Sequence, residues 1–256
     1  MSEIIISGFV SVKSVIEAKS RIISKVLIER SRYESVTASS LRTTDKRRYE
    51  TLKASGCEIE YLEKEEFERI VSNPLSGGIA AAVGERIYTP EEDFFASPGG
   101  YIAVLDGIED PFNFAYSLRS LYASGVDGVI VPERSFFGSD DNVIRSSAGA
   151  SELMNTCAVA DTAEAVRILK TKGFTIASTA KEDGAKDLYR CRFKKPLCVV
   201  YGGEKRGIKR EIIGMSDLLI RIKYPRDCHY SLPACSAVSV ISFEIAQKLS
   251  SPGFPK

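Results

Sequence analysis

A glycine-rich turn near the C-terminal end is the feature that most restricts the fold of this chain of 256 residues. The apolar run at residues 197–201 stops at Gly202 and Gly203, and Gly207 follows shortly after. This pattern predicts a buried strand that enters a tight turn whose backbone can lie against a ligand. Dinucleotide-binding α/β proteins place such a turn after their first strand. A ligand-binding turn this late in the chain therefore indicates a different fold.

Apolar segments alternate with helical segments from residue 101 onward. Strands are predicted at 101–106, 128–132, 174–179, 197–202 and 218–222, and helices at 113–124, 142–150, 161–172, 206–214 and 234–250. This alternation is typical of a parallel sheet covered by helices on both faces. Ligands bind beyond the carboxyl ends of the strands in such sheets. The loops after Leu105, Thr179, Gly202 and Ile222 are therefore expected to surround one site.

The first part of the chain has the pattern of a smaller α/β unit. Strands are predicted at 24–28 and 58–62, helices at 14–20, 45–54 and 64–71, and the unit closes with an apolar run at 79–83. A polar stretch with proline and glycine follows, which is typical of a linker. The sequence therefore predicts an N-terminal domain at 1–90, a linker at 91–100 and a second domain at 101–256.

The charge pattern is uneven, although the formal net charge is only +1. Residues 13–53 contain eleven Lys and Arg against five Asp and Glu. Such a segment is either a positively charged surface that binds nucleic acid or a pair of helix faces exposed to solvent. Composition alone does not decide between the two interpretations.

The cysteine and histidine content argues against several kinds of site. The six cysteines show no CxxC pair and no zinc-like spacing, and His229 is the single histidine. A Ser-His-Asp triad or a His-rich metal site would depend on that one residue, so neither is expected. The sequence contains no signal peptide and no run of about 18 apolar residues. We therefore expect a reduced cytoplasmic protein without a metal or a membrane partner.

Three segments of the second domain could carry chemistry, and each also has a structural interpretation. Asn113 and Arg119, within residues 106–131, project from the first turns of a predicted helix, where they could equally be a helix cap and a surface cation. GGEKRG at 202–207 is either a ligand turn or an ordinary strand-to-helix turn. The small residues at the start of 230–245 allow close backbone approach, which helix packing alone would also explain.

The order and spacing of these segments resemble the SpoU (TrmH-like) branch of the SPOUT methyltransferases. LDGIEDPFNFAYSLRSLYASGVDGVIVP resembles the first family motif, VVYGGEKRGI with DLLIRI the second, and SLPACSAVSVISFEI the third. The resemblance implies methyl transfer from S-adenosylmethionine to a ribose 2′-hydroxyl in tRNA or rRNA by a homodimer. It also implies a parallel-sheet α/β-knot domain with a deep C-terminal trefoil knot. The smaller N-terminal α/β domain is similar to the family's RNA-binding extension.

The resemblance also assigns residues to the site. The polar positions of the family's reaction centre correspond to Asn113, Arg119, Glu204 and Ser231. The residues implied to line the S-adenosylmethionine pocket are Thr179, Ala180, Gly202, Gly203, Gly207, Ile222 and Leu232. Because a guanidinium stays protonated in proteins, Arg119 is expected to hold an RNA phosphate and stabilise charge on the attacking oxygen. Asn113 and Glu204 would orient that oxygen, and the proton acceptor stays open.

The third motif departs from the family pattern at one position. The family usually has SLN where this chain has Ser231, Leu232 and Pro233. Proline removes a backbone donor and the usual amide side chain, which predicts weaker cofactor binding or turnover. The fold should tolerate it, because proline suits the first turn of a helix. The preceding loop, KYPRDCHY, is unusually basic and one residue longer than is usual in the family.

Two other functions remain open from the sequence. A non-catalytic RNA-binding protein on the same fold would explain Pro233, but it would not explain why Asn113, Arg119 and Glu204 are all retained. A nucleotide-binding enzyme of Rossmann type requires a glycine-rich turn after an early strand and an acid about 20 residues later, and neither is found. The sequence does not indicate which RNA or nucleotide is modified, or whether the role is housekeeping or antibiotic resistance.

Overall fold

The computed structural model describes residues 3–33, 43–133, 140–181, 184–227 and 229–250. The chain divides into two compact units. The first contains the described residues up to Ile87 together with 140–153, and the second contains the remainder. Part of the basic segment at 13–53, residues 34–42, lies outside the described residues.

The first unit is a mixed α/β structure. In chain order it begins with β1 (Ile4–Ser7), α1 (Phe9–Ala18), β2 (Ile23–Glu29), α2 (Arg30–Tyr33), α3 (Thr43–Ala54), β3 (Ile59–Leu62), α4 (Lys64–Ile70) and β4 (Ile79–Val83). The strand order is β1-β4-β2-β3; β4 is antiparallel to both of its neighbours, and β3 is parallel to β2. Every residue of β4 is buried, which explains its small and apolar composition. The predicted strands and helices are present, and Leu52 of α3 is buried as expected.

The second part of the chain contains seven strands in one sheet. Its elements are α5 (Glu91–Ala96), β5 (Tyr101–Asp106), α6 (Pro111–Ala123), β6 (Gly128–Pro132), α7 (Asp140–Ser146), α8 (Ala150–Leu153), β7 (Thr156–Val159), α9 (Thr162–Thr171), β8 (Thr175–Thr179), β9 (Lys186–Asp187), a 3-10 helix (Leu188–Arg190), β10 (Leu197–Gly202), α10 (Arg210–Met215), β11 (Leu218–Arg221) and α11 (Ala234–Ser250). The strand order is β7-β6-β5-β10-β8-β11-β9, and every pairing is parallel. The predicted parallel-sheet α/β fold is confirmed, whereas the knot stays a prediction.

The segment expected to be a linker is a helix that belongs to the second unit. Phe94 and Phe95 of α5 are buried in the core formed with β5, β10 and α9. Their rings meet edge to face with centroids 5.6 Å apart. The polar residues around this aromatic pair gave the stretch the composition of a linker, although its two phenylalanines fill a core.

Helices α7 and α8 pack within the first unit, although they lie between strands of the second. The division into consecutive domains at 1–90 and 101–256 therefore differs from the structure at 140–153. Glu152 is buried and accepts hydrogen bonds from Ser20 Oγ at 2.5 Å and Arg21 Nε at 3.2 Å. Arg21 also pairs with Asp140 at 2.6 Å. These buried polar contacts hold the segment in the first unit.

Three further local differences have simple causes. The helix predicted at 206–214 begins only at Arg210, because the residues before it form a turn. Strands β7 and β9 were not predicted, since both are short and partly polar. No helix in the described residues is long and apolar enough to cross a membrane.

Candidate functional site

The carboxyl ends of β5, β10, β8 and β11 lie side by side at one edge of the sheet. Gly202 is opposite Asp106 in the register of β10 with β5. On the other side of β10, Thr179 Oγ1 accepts a hydrogen bond from Gly202 N at 3.3 Å. Ala180 N donates to Ile220 O at 3.0 Å, and Ile222 follows two residues later. The predicted loops therefore do surround one region, as expected for an open parallel sheet.

The glycine-rich turn is packed directly against the turn that follows β5. Gly203 N donates to Asp106 O at 3.0 Å, and Gly207 N donates to Gly203 O at 3.1 Å. A Cβ atom at Gly203 would lie 1.7 Å from Gly107 O, so no side chain fits at this position. Gly207 has a φ of +65°, a backbone conformation that favours glycine. The close approach of two backbones explains the glycine at 203, and the positive φ explains the glycine at 207.

Asp106 is a site residue that the sequence analysis missed. Its buried carboxylate accepts from Thr162 Oγ1 at 2.9 Å and from Lys209 N at 2.9 Å, so it fixes the far end of the glycine-rich turn. Lys209 Nζ lies 2.7 Å from Asp161 Oδ1, and this hydrogen bond lowers the pKa of Asp161. The signal in the sequence was an acid at the end of a wholly apolar strand, where a buried charge needs partners.

Glu204 connects the three motifs. Asp110 caps α6 by accepting from Asn113 N at 2.8 Å, which orients the first turn of this helix. Asn113 Nδ2 then donates to Glu204 Oε1 at 3.0 Å. The same oxygen accepts from Ala234 N at 3.1 Å, at the start of α11. A carboxylate is favourable here because the N-terminus of a helix carries partial positive charge.

A pocket of about 290 Å³ opens beside this junction. Its lining residues are Gly107, Ile108, Glu109, Asp110, Pro111, Asn113, Glu204, Lys205 and Ala234. The pocket is thus bordered by the turn after β5, the glycine-rich turn and the first residues of α6 and α11. Its polar groups can donate and accept hydrogen bonds to a small part of a ligand.

The remaining residues assigned by resemblance have few contacts. Arg119 on α6 and Ser231 before α11 are both exposed, and neither forms a hydrogen bond or ion pair with any other described residue. Leu232 N donates to Tyr224 Oη at 3.0 Å, which closes the loop between β11 and α11. The structure therefore joins Asn113 to Glu204 directly, whereas Arg119 and Ser231 stay free to meet another molecule.

Helix α11 begins without the asparagine that the family usually has. Pro233 O accepts from Ser236 N and Ala237 N, both at 3.0 Å, so the helix starts regularly from this proline. Among the described residues, no group of three or more His, Cys, Asp or Glu side chains could hold a metal ion.

Comparison with known proteins yields relatives among the tRNA/rRNA methyltransferases. The model of the SpoU rRNA Methylase family matches residues 100–243. A protein of Staphylococcus haemolyticus (strain JCSC1435), assigned to the TrmH family of tRNA/rRNA methyltransferases, is 31% identical over 196 residues, which cover 74% of this chain and 77% of the relative.

Two solved structures resemble this chain over almost its whole length. The SpoU methyltransferase AviRb from Streptomyces viridochromogenes, solved with AdoMet, has a TM-score of 0.76 at 18% identity, covering 96% of this chain and 90% of that chain. An RNA 2′-O ribose methyltransferase has a TM-score of 0.73 at 19% identity, covering 96% of this chain and 88% of that chain. At such identities these structures support the fold alone.

Proposed function

The chain belongs to the SpoU methylase family, and we propose that it transfers a methyl group from S-adenosylmethionine to a ribose 2′-hydroxyl in tRNA or rRNA. The family resemblance predicted from the three motifs is confirmed by the family model and by the relatives. The observation that carries the proposal is the junction at Glu204, where one carboxylate oxygen accepts from both Asn113 and Ala234. This oxygen links residues from all three motifs.

The residues at the carboxyl edge of the sheet fit S-adenosylmethionine. Thr179, Ala180, Gly202 and Ile222 are half-buried at this edge, and Gly203 is buried beside them, an arrangement that suits close approach by a nucleoside. Gly207 and Leu232 complete the proposed set of cofactor-binding residues. When bound, the cofactor supplies a sulfonium methyl group that an oxygen nucleophile can accept.

The polar residues supply positioning and electrostatic stabilisation. Arg119 has no internal partner in the described structure and is free to bind an RNA phosphate and stabilise negative charge on the ribose oxygen. Glu204 uses Oε1 for its two internal hydrogen bonds, and Oε2 has no partner among the described residues. We assign Oε2 the role of accepting a hydrogen bond from the 2′-hydroxyl. Asn113 holds that carboxylate in place, and Ser231 borders the same region.

The second unit exposes aromatic side chains on two helices that contact each other. Ser120 Oγ of α6 and Ser239 Oγ of α11 are 2.7 Å apart. Phe112 of α6 is 48% exposed and Phe243 of α11 is 51% exposed. The family resemblance implies a homodimer, and we propose that a second copy of the chain covers these exposed rings. Sedimentation analysis of Phe243→Glu beside the unchanged protein tests this, with a monomer expected for the variant.

The first unit carries aromatic rings with cations above them. Lys53 Nζ is 5.5 Å from the Tyr49 ring centre, and Arg30 lies 5.9 Å from that of Tyr61. The hydroxyl groups of Tyr49 and Tyr61 are 2.6 Å apart, so the two pairs are neighbours, and both half-buried rings pack against the core of the unit. Interleaved aromatic and basic groups suit single-stranded RNA, and we propose that this unit binds the RNA substrate.

A cytoplasmic location, where tRNA and rRNA are found, remains a prediction.

Calorimetric titration with S-adenosylmethionine tests the cofactor proposal. We expect the wild type and Arg119→Ala to bind and Gly202→Val to fail, because a Cβ at Gly202 would already lie 2.8 Å from Gly207 C. Methylation of unmodified tRNA and protein-free rRNA would follow, with nucleoside mass spectrometry to identify 2′-O-methylribose. Methylation of a base would contradict the proposed reaction.

Pro233 favours a second function, a non-catalytic RNA-binding protein on the same fold. This candidate predicts RNA binding by a folded wild-type protein that shows no heat of binding with S-adenosylmethionine. The same titration therefore separates the two candidates.

A further inference from the structure

The outer edge of the parallel sheet joins two basic segments that are distant in the sequence. Strand β9 pairs with β11, so that Lys186 is opposite Ile220 and Asp187 is opposite Arg221. Residues 186–195 contain five Lys and Arg against one acid, and residues 221–230 contain three against one. We call the exposed cations along this edge the basic edge: Lys186, Arg190, Arg192, Arg221, Lys223 and Arg226.

The cations of the basic edge have no internal role in the described structure. Within the described residues, none of the six side chains forms an ion pair or a hydrogen bond. Other cations of the same unit do: Lys170 pairs with Asp217 at 3.0 Å and Lys209 with Asp161 at 2.7 Å. Asp187 and Asp227 offset only part of this positive charge, and the excess of cations creates a field that attracts a polyanion.

The backbone beneath these cations is held in place. Lys248 Nζ donates to the carbonyl oxygens of Leu188, Tyr189 and Cys191 at 2.8, 3.0 and 3.0 Å. The second segment is closed by the hydrogen bond from Leu232 N to Tyr224 Oη at 3.0 Å. Because the backbone at 188–191 is held by these hydrogen bonds before any partner arrives, binding there loses little conformational entropy of the backbone.

The part of the basic edge at β9 and after β11 lies on the same side of the sheet as Ile222, a residue of the proposed active site. In the sheet, β9 is separated from β10 by β8 and β11, a distance of roughly 14 Å at the usual strand spacing. Residues 221–230 lead directly to Ser231 and Leu232. Tyr189 and Tyr230 are exposed at 53% and 74%, which leaves their rings available for stacking on bases.

We propose that the basic edge binds the sugar-phosphate backbone of the RNA beside the nucleotide that enters the active site. This inference rests on the proposed function and adds an RNA contact within the second unit itself. Two features of this surface favour RNA as the partner. The cations have no partner within the described residues, and two exposed aromatic rings lie among them on a backbone held partly by hydrogen bonds from Lys248. The core of a protein–protein interface is instead depleted of charged residues.

Two double variants test the proposal, one in each segment: Arg190→Ala/Arg192→Ala and Lys223→Ala/Arg226→Ala. The matched control is Lys172→Ala/Arg210→Ala, which removes two exposed cations of the α9–α10 layer that also lack partners in the described structure. The probes are unmodified tRNA and protein-free rRNA, and the dissociation constant is measured from about 50 to 200 mM salt. The salt slope is the slope of the logarithm of the binding constant against the logarithm of the salt concentration. Removing one cation that binds a phosphate should reduce its magnitude by about 0.7 to 0.9.

We expect each test variant to lose about tenfold or more in RNA affinity with a smaller salt slope, while S-adenosylmethionine affinity stays unchanged. Equal RNA affinity in test and control variants would overturn the inference, as would a loss of affinity without a change in slope. Since the two variants lie in different segments, misfolding of one leaves the other as the test. A wild type that binds neither RNA would contradict the proposed function itself.

Discussion

Gly203 lies so close to Gly107 that a Cβ atom on Gly203 would be 1.7 Å from the Gly107 carbonyl oxygen. The contact joins the turn after β10 to the turn after β5, and Gly203 N donates to Asp106 O beside it. The two turns are therefore held rigidly against each other, and the position of Glu204 depends on both.

Replacing Gly203 with alanine should disrupt the packing of these two turns. We expect Gly203→Ala to lower the free energy of unfolding by about 1–3 kcal/mol, as overpacking does, and to abolish S-adenosylmethionine binding. Thermal unfolding and calorimetry measure the two effects. The control is Gly214→Ala in α10, where a Cβ meets nothing within 4 Å and helix propensity should raise stability by up to about 1 kcal/mol. Unchanged cofactor binding by Gly203→Ala would contradict the proposed pocket.

Glu204 offers a test that separates structure from catalysis. Glu204→Gln keeps an oxygen that can accept from Asn113 Nδ2 and Ala234 N, so the free energy of unfolding should stay within about 1 kcal/mol of the wild type. An NH2 group would replace Oε2, however, and a donor cannot accept a hydrogen bond from the ribose hydroxyl. We expect kcat for methylation to fall about 10²-fold or more. A fully active Glu204→Gln enzyme would rule out this role.

Arg119 is exposed and forms no hydrogen bond or ion pair with another described residue, so its removal should not affect folding. We expect Arg119→Ala to change stability by no more than about 0.5 kcal/mol and to lower kcat/KM by about 10²-fold or more. Arg119→Lys should recover part of the activity, because it keeps the charge but not the planar fork of donors. Lys172→Ala is the control for loss of an exposed cation. Equal activity of Arg119→Ala and this control would show that Arg119 has no catalytic function.

The sequence predicted five of the seven described strands of the second unit, because each of the five is an apolar run of strand length. It could not predict that α7 and α8 pack within the first unit, since that depends on buried partners of Glu152 that lie more than a hundred residues away. The order of the motifs predicted the site residues. Only the folded structure shows that one oxygen of Glu204 accepts hydrogen bonds from both Asn113 and Ala234. Asp106 was missed because its partners, Thr162 and Lys209, are far from it in sequence.

The buried carboxylate of Glu152 gives a prediction for the first unit. Its side chain accepts from Ser20 and Arg21, and Arg86 Nη1 lies 3.4 Å from Oε2. Removing one member of a buried ion pair costs about 3–5 kcal/mol, because the other charge stays buried. We expect Glu152→Ala to lower the free energy of unfolding of the first unit accordingly, as measured by denaturant titration. Glu164→Ala, which removes an exposed partner of Arg167, should change stability by no more than about 0.5 kcal/mol.

Pro233 is the position where the chain can be returned to the family pattern. Its carbonyl already starts α11, and Ala234 N is held by Glu204, so the helix does not need a donor or a side chain from residue 233. Pro233→Asn should therefore fold normally, with a capping gain of no more than about 1 kcal/mol. If the missing amide limits the reaction, this variant should bind S-adenosylmethionine more tightly or turn over several-fold faster. Pro233→Ala restores the backbone N–H alone, so the comparison assigns any gain to the N–H or to the amide. Unchanged affinity and turnover in both variants would show that the site functions fully with proline.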